Sequence, residues 1–353
     1  MDQPVRWGLI GHGNIGREVM RQLAQPAVAE RLGLLSQPEI IVTRNGIMQS
    51  DGVTASAYKT FNEISDLPDV LFVAIPSSDD GQAAYSYINY ALQQGRLIIT
   101  AEKGALANNF ADLKEQSDNF KHLGITATVG GGTRLLHVAR EYSQDIGNIT
   151  QIHLALNGTL AAIMDWVAPV QGAGLALDEA AEKAVAAGYA EPGSSSAAAI
   201  IKGEAEGDIP KKLAIFYNIV GLGSLLDWQD LRFDLSEDEI ASATQSETPR
   251  RFIVSIYPLS AIGNNVLPEN DIIGGFKVDH DGWRMVGGFR RHDANPMFGP
   301  LSTLTGPGNG IVIGLGPRGT DGIYSVTGPG AGVNPTVNTM LDDFVRLKNL
   351  TSN

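Results

Sequence analysis

Val5-Arg6-Trp7-Gly8-Leu9-Ile10-Gly11-His12-Gly13-Asn14-Ile15-Gly16 is a short apolar run that breaks into a glycine turn. Val19, Met20 and Leu23 then recur at helical spacing, so the segment predicts strand, turn and helix. Glycines at such a turn let the backbone approach a pyrophosphate, whose charge meets free N–H groups and the positive end of the helix dipole. An ordinary tight turn can share the G-x-G-x-x-G spacing. What distinguishes this one is its place at the head of an alternating strand and helix series, which predicts a dinucleotide site on Gly11, Gly13, Asn14, Ile15 and Gly16. His12 reads as a tolerated loop residue and not a catalyst.

Working outward, residues 38–43 (PEIIVT) and 70–75 (VLFVAI) are continuous, β-branched apolar runs, as expected of parallel strands covered on both faces. Asp79-Asp80-Gly81 opens a helical stretch to about Gln94, residues 97–100 form another strand, a helix follows through Leu113, and residues 125–129 predict one more strand. The first ~130 residues thus have the alternation of a doubly wound α/β domain. From about residue 150 the pattern changes: a strand at 152–156, helices at 160–167 and 177–187, and a capping box of Ser236 with Glu239. Runs at 311–315 and 323–326 flank Gly316-Pro317-Arg318-Gly319 as a hairpin, and a last helix spans about 335–347. Residues 193–199 (GSSSAAA) are the low-complexity patch. The 353 residues, at roughly 100–200 per domain, predict two domains: an N-terminal Rossmann-type parallel sheet over 1–135, to which 316–353 returns, and a second α+β domain over 136–315.

Lys plus Arg number 26 against 39 Asp plus Glu, a formal charge of −13, which disfavours nucleic acid and anionic membranes as partners. The absence of cysteine removes disulfides, thiolate metal sites and Cys nucleophiles, and the 6 His are scattered. No apolar run approaches the ~18–20 residues of a membrane span, and the run at Val5 has no basic lead or cleavage site. The expectation is a soluble, cytoplasmic protein.

The second strand ends Val42-Thr43-Arg44-Asn45-Gly46, without a carboxylate. An acidic tip would accept from the ribose hydroxyls and repel a 2′-phosphate, whereas Arg44 can pair with that phosphate, so NADP is favoured over NAD. The alternative is Arg44 as a solvated turn residue. Lys103 follows a buried strand at its carboxyl end, where open α/β sheets place ligands. A partly desolvated lysine there can donate a proton to a carbonyl oxygen receiving hydride; a surface lysine is the competing reading. Asp208 and Lys212 are four apart, with Asp208 predicted as an N-cap and Pro210 in the first helical turn. They form either a clamp for a zwitterion or a capping Asp with a solvated Lys. No G-x-S-x-G elbow and no P-loop occur, which argues against a Ser hydrolase or a kinase.

Taken in order, these pieces resemble the homoserine dehydrogenases. The resemblance rests on the glycine turn, residues 100–107 (TAEKGALA), residues 127–132 (ATVGGG), Asn157-Gly158-Thr159, Gly188-Tyr189-Ala190-Glu191-Pro192, residues 208–213 (DIPKKL), and Gly328-Pro329-Gly330-Ala331-Gly332 with Pro335-Thr336. It implies an NAD(P)-linked enzyme that interconverts L-aspartate semialdehyde and L-homoserine on the route to threonine and methionine. It assigns Lys103 a place near the nicotinamide, Lys212 the proton transfer, and Glu191 and Asp208 the substrate's amino end. Asn157, Gly158 and Thr159 would line the cleft, and the loop with Gly330 and Gly332 would close over cofactor and substrate. Main-chain oxygens of Thr126, Val129 and Gly131 would hold a structural monovalent cation, Na+ or K+. The second domain would bind substrate and build a homodimer.

The departures are specific. Where the family continues D-P-x-x-D after the Glu-Pro pair, this chain has Gly193-Ser194-Ser195-Ser196-Ala197, so two expected carboxylates are missing and Asp208 arrives about six residues late. Glu102 stands where an Asn is common, beside Lys103, whose pKa its charge would raise. No regulatory extension is expected after the last helix. Two alternatives follow: a related oxidoreductase acting on another small oxo or hydroxy acid, and a non-catalytic NADP-binding sensor. Retention of Lys103, Glu191, Asp208 and Lys212 argues against the sensor.

Overall fold

A computed structural model describes residues 3–142, 147–168, 174–190, 196–261, 271–316 and 319–351. The chain forms two compact units, Met1–Thr128 with Val333–Asn353, and Val129–Gly332. Among the described residues no helix is long and apolar enough to cross a membrane.

The first unit is built on strands β1 (Trp7–Ile10), β2 (Ile40–Thr43), β3 (Gly46–Met48), β4 (Val70–Val73), β5 (Leu97–Thr100) and β6 (Leu123–Gly124) in the order β3-β2-β1-β4-β5-β6. All neighbours pair in parallel except β2 and β3, a short hairpin that the sequence reading did not anticipate. Helices α1 (Asn14–Leu23), α2 (Pro26–Leu32), α3 (Gln82–Gln93), α4 (Gly104–Asn108) and α5 (Phe110–Gln116) connect the strands. Because β1 lies between β2 and β4, the strand order reverses at its carboxyl end, which is where such sheets bind ligands. Trp7, Leu9, Ile41, Phe72 and Ile99 form the core with Met340, Phe344 and Leu347 of the C-terminal helix Val333–Thr351. Burying each such side chain is worth about 1.5–3 kcal/mol. The strand expected at 125–129 is not formed. Buried Asp343 of the C-terminal helix accepts from Thr126 N at 2.7 Å and Thr126 Oγ1 at 2.7 Å, and the Thr128 hydroxyl and N–H both donate to Ile125 O. These bonds wind Thr126–Thr128 into a 3₁₀ turn.

The second unit carries a sheet of β7 (Ile149–Ala155), β8 (Arg250–Pro258), β9 (Ile273–His280), β10 (Trp283–Arg291), β11 (Gly308–Leu315) and β12 (Gly322–Pro329), in the order β12-β11-β7-β8-β10-β9. Every pair is antiparallel, and the β11–β12 hairpin matches the expected one. The helices are α6 (Leu135–Tyr142), α7 (Gly158–Val167), α8 (Leu177–Ala186), α9 (Ala197–Lys202), α10 (Ile209–Val220), α11 (Glu237–Thr244) and α12 (Gly299–Ser302). The Ser236–Glu239 capping box opens α11 as the sequence predicts. Within the sheet, His153 lies between Ser255 Oγ (2.9 Å) and Gln151 Oε1 (3.0 Å). Burial, aided by the charge of Arg290, lowers its pKa to about 3 and keeps it neutral.

Candidate active site

The dinucleotide turn follows β1 directly. Gly11 adopts φ +102°, and a Cβ there would stand 2.5 Å from Ala74 O, while a Cβ on Gly16 would meet Gly11 O at 2.0 Å. Only glycine permits both the left-handed backbone and the close helix-to-turn approach. Gly13 has open space where its side chain would be, and it precedes α1 with no side-chain cap. The helix therefore presents uncapped N–H groups where an anion would sit. Of the other predicted residues, Asn14 starts α1 and accepts from Arg17 at 2.9 Å, and Ile15 packs half-buried against the core. A cavity of about 730 Å³ opens over the turn and takes in Gly11, His12, Gly13, Arg44 at the β2–β3 turn, Pro76 and Tyr87. Arg44 is exposed and, among the described residues, no carboxylate lines this cavity, so the lining fits a phosphate-bearing dinucleotide.

Lys103, half-buried, precedes α4, with its N–H on Ser77 Oγ at 3.3 Å. Its neighbour Glu102 also has a part beyond Lys103. The buried Glu102 carboxylate turns to the first turn of α4, accepting from Gly104 N at 2.6 Å and Ala105 N at 2.8 Å. Burial raises its pKa, against the lowering pull of those two N–H groups and of Lys103.

Of the predicted site residues, Asn157, Asp208 and Lys212 meet in the second unit. Asn157 ends the segment after β7, and its Oδ1 caps α7 by accepting from Leu160 N at 2.8 Å. That bond fixes the amide, and Nδ2 donates to Asp208 Oδ2 at 2.7 Å. The same Asp208 oxygen takes Lys212 Nζ at 2.6 Å, and Lys212 also donates to Leu156 O at 3.1 Å. The side chains of Lys212 and Asp208 are 12% and 11% exposed, so this ion pair is largely shielded from water and stronger than a surface pair. Asp208 is not the N-cap expected: at φ −79° and ψ −47° it lies inside a continuous helix, without a side-chain cap bond. The helix starts at Ser196, whose Oγ accepts from Ala199 N at 3.1 Å, and α9 and α10 are joined through a π turn, Gly203–Asp208.

Glu204, on that π turn, was missed by the sequence reading: its Oε2 accepts from Asn157 Nδ2 at 2.6 Å. The signal for it is a ladder of Glu204, Asp208 and Lys212 at four-residue steps. Gly158 serves a close approach, since a Cβ there would meet Ala331 and Pro307 O at 2.9 Å. The loop with Gly330 and Gly332 thus packs on the Asn157–Gly158 corner, with Gly330 N on Pro307 O at 2.8 Å. Thr159 is buried and donates to Tyr189 O at 2.7 Å, anchoring the segment that leads to Glu191. Glu191 itself lies outside the described residues, as do Gly193, Ser194 and Ser195. Thr126 belongs to the first unit and Val129 and Gly131 to the second.

No family model matches the chain. Over 192 residues it is 28% identical to a homoserine dehydrogenase of Sulfurisphaera tokodaii, covering 52% of this chain and 60% of that protein. Over 280 residues it is 24% identical to an NAD(+)-dependent homoserine dehydrogenase of Pseudomonas canavaninivorans, covering 76% of this chain and 67% of that one. The chain thus spans 60–67% of the length of these curated relatives. The crystal structure of homoserine dehydrogenase from Thermoplasma acidophilum aligns with a TM-score of 0.72 at 19% identity, covering 98% of this chain and 99% of that one. A hyperthermophilic archaeal homoserine dehydrogenase in complex with NADPH aligns with a TM-score of 0.65 at 19% identity, covering 98% of each chain. In sequence over part of its length, and in fold, the chain is similar to homoserine dehydrogenases.

Proposed function

We propose that the protein is an NADP-preferring homoserine dehydrogenase that interconverts L-aspartate semialdehyde and L-homoserine. The observation that carries this reading is the shielded cluster of Lys212, Asp208 and Asn157. A substrate with one ammonium and one carbonyl to be reduced needs an acid to hold the first and a proton donor at the second, and this cluster supplies both. The glycine turn with Gly11, Gly13 and Gly16 and the exposed Arg44 would hold the dinucleotide. When bound, that cofactor supplies or accepts the hydride.

The chain's own part is binding, orientation and one proton. Asp208 and Leu156 O engage two hydrogens of the Lys212 ammonium, which has three. The third is the one Lys212 gives to the substrate oxygen during reduction and recovers during oxidation. Asp208, with Glu191, holds the substrate's ammonium, Asn157 keeps Asp208 in place, and Lys103 stands by the nicotinamide. The loop of Gly330 and Gly332 closes over the bound molecules. The resemblance would also place a monovalent cation on the main-chain oxygens of Thr126, Val129 and Gly131. Activity that is indifferent to replacing Na+ and K+ by tetramethylammonium would remove it. The enzyme would act as a cytoplasmic homodimer, which light scattering of the purified protein checks.

The decisive assay follows the absorbance of reduced nicotinamide with L-homoserine and either NADP or NAD. Homoserine-dependent reduction of NADP, faster than that of NAD, is the expected result. Inert homoserine with turnover of another small hydroxy acid would select a different substrate, and tight NADPH binding without turnover of any would select a sensor.

A further inference from the structure

The reaction proposed above uses Lys212, Asp208 and Asn157 but gives no part to Glu204. Yet the Glu204 carboxylate accepts from the same amide nitrogen as Asp208, at 2.6 Å against 2.7 Å. The Asn157 amide cannot be turned to avoid it, because Oδ1 is fixed on Leu160 N at 2.8 Å as the cap of α7. Both hydrogens of one NH₂ group therefore point at two different carboxylates, which brings these close together around Asn157. The helix explains how. Pro210 has no N–H to return to residue 206, and its ring crowds that carbonyl. The chain responds by widening into the π turn Gly203–Asp208, which stacks Glu204, Asp208 and Lys212 on one helical face. Between Pro192 and Glu204 the sequence contains no acidic residue, so Glu204 is the first carboxylate this part of the chain offers.

We infer that Glu204 is a specificity-determining residue: a further carboxylate for the substrate's ammonium, beside Asp208, selecting an amino acid over its deaminated counterpart. The inference rests on the proposed function for the identity of the substrate. An ammonium carries three diverging N–H donors, so two carboxylates tied through one amide make a better receptor for it than either alone. A molecule of the same length without that ammonium gains nothing from Glu204.

The test compares the KM for L-homoserine with the competitive inhibition constant of 4-hydroxybutyrate, in wild-type enzyme and in Glu204→Gln. The expected result is a rise of about 10- to 100-fold in the homoserine KM, with the 4-hydroxybutyrate constant changed by less than about twofold. The unchanged inhibition constant also certifies that the variant is folded. Glu204→Asp, which keeps the charge, should recover part of the preference. An unchanged homoserine KM overturns the inference, and so does a parallel loss on both molecules, which marks a purely structural role. Wild-type turnover is measured first and judges the proposed function separately. If it is absent, equilibrium binding of the two compounds to wild type and Glu204→Gln gives the same comparison, and absence of homoserine binding to wild type overturns both.

Discussion

Lys212 and Asp208 show how much a four-residue spacing reveals and how much it leaves out. The spacing places the two side chains on one helical face, and the structure closes them to 2.6 Å. The spacing alone could not distinguish a clamp from a helix cap with a solvated lysine. Asn157 and Leu156, from a segment some 50 residues away, surround the pair, so the lysine is not a solvated one. If Lys212 is the proton donor, Lys212→Ala should lower kcat by at least ~100-fold while leaving the KM for NADP nearly unchanged. Steady-state kinetics in both directions check this, and full kcat would remove the role. Glu204 was legible as a further rung of the ladder, yet its meaning depended on the orientation of the Asn157 amide, which no sequence pattern encodes. Glu102 is a parallel case. Adjacent to Lys103 in sequence, it acts on the first turn of α4, because a buried carboxylate seeks N–H groups as well as countercharge.

At the scale of elements, the alternating first part of the chain was readable because buried parallel strands are continuous apolar runs and the glycine turn punctuates them. The misread pieces are those fixed by distant partners. Residues 125–129 have the composition of a strand, but Asp343 captures Thr126 from 217 positions away. The helix predicted to open at Asp208 instead follows without a break from α9, which opens at Ser196, while Pro210 lies in the first turn of α10 as expected, directly after the π turn. Asp343 carries the first of these differences. Asp343→Ala should destabilise the first unit by about 3 kcal/mol, since it leaves two buried Thr126 donors without their acceptor. Denaturant unfolding followed by tryptophan fluorescence, with Trp7 in that unit's core, measures it. A loss below about 0.5 kcal/mol would mean that the C-terminal helix is held by Met340, Phe344 and Leu347 alone.

For the molecule as a whole, the sequence announced an α/β unit with a dinucleotide turn and a second unit of different character, and both sheets are present. Less legible was the topology of the second sheet. Antiparallel order β12-β11-β7-β8-β10-β9 joins strands far apart in the chain, and periodicity carries no information on such pairing. The net charge of −13 bears on partners and not on chemistry, so the reaction has to be argued from the site. The central claim is that a hydride passes between the hydroxyl-bearing carbon of homoserine and a nicotinamide, with the chain contributing charge, position and a proton. L-homoserine deuterated at its hydroxymethyl carbon, incubated with the enzyme and NADP, tests this directly by mass spectrometry of the cofactor. Reduced NADP carrying one deuterium is the predicted result. Cofactor that stays oxidised, or is reduced without deuterium, would contradict the account.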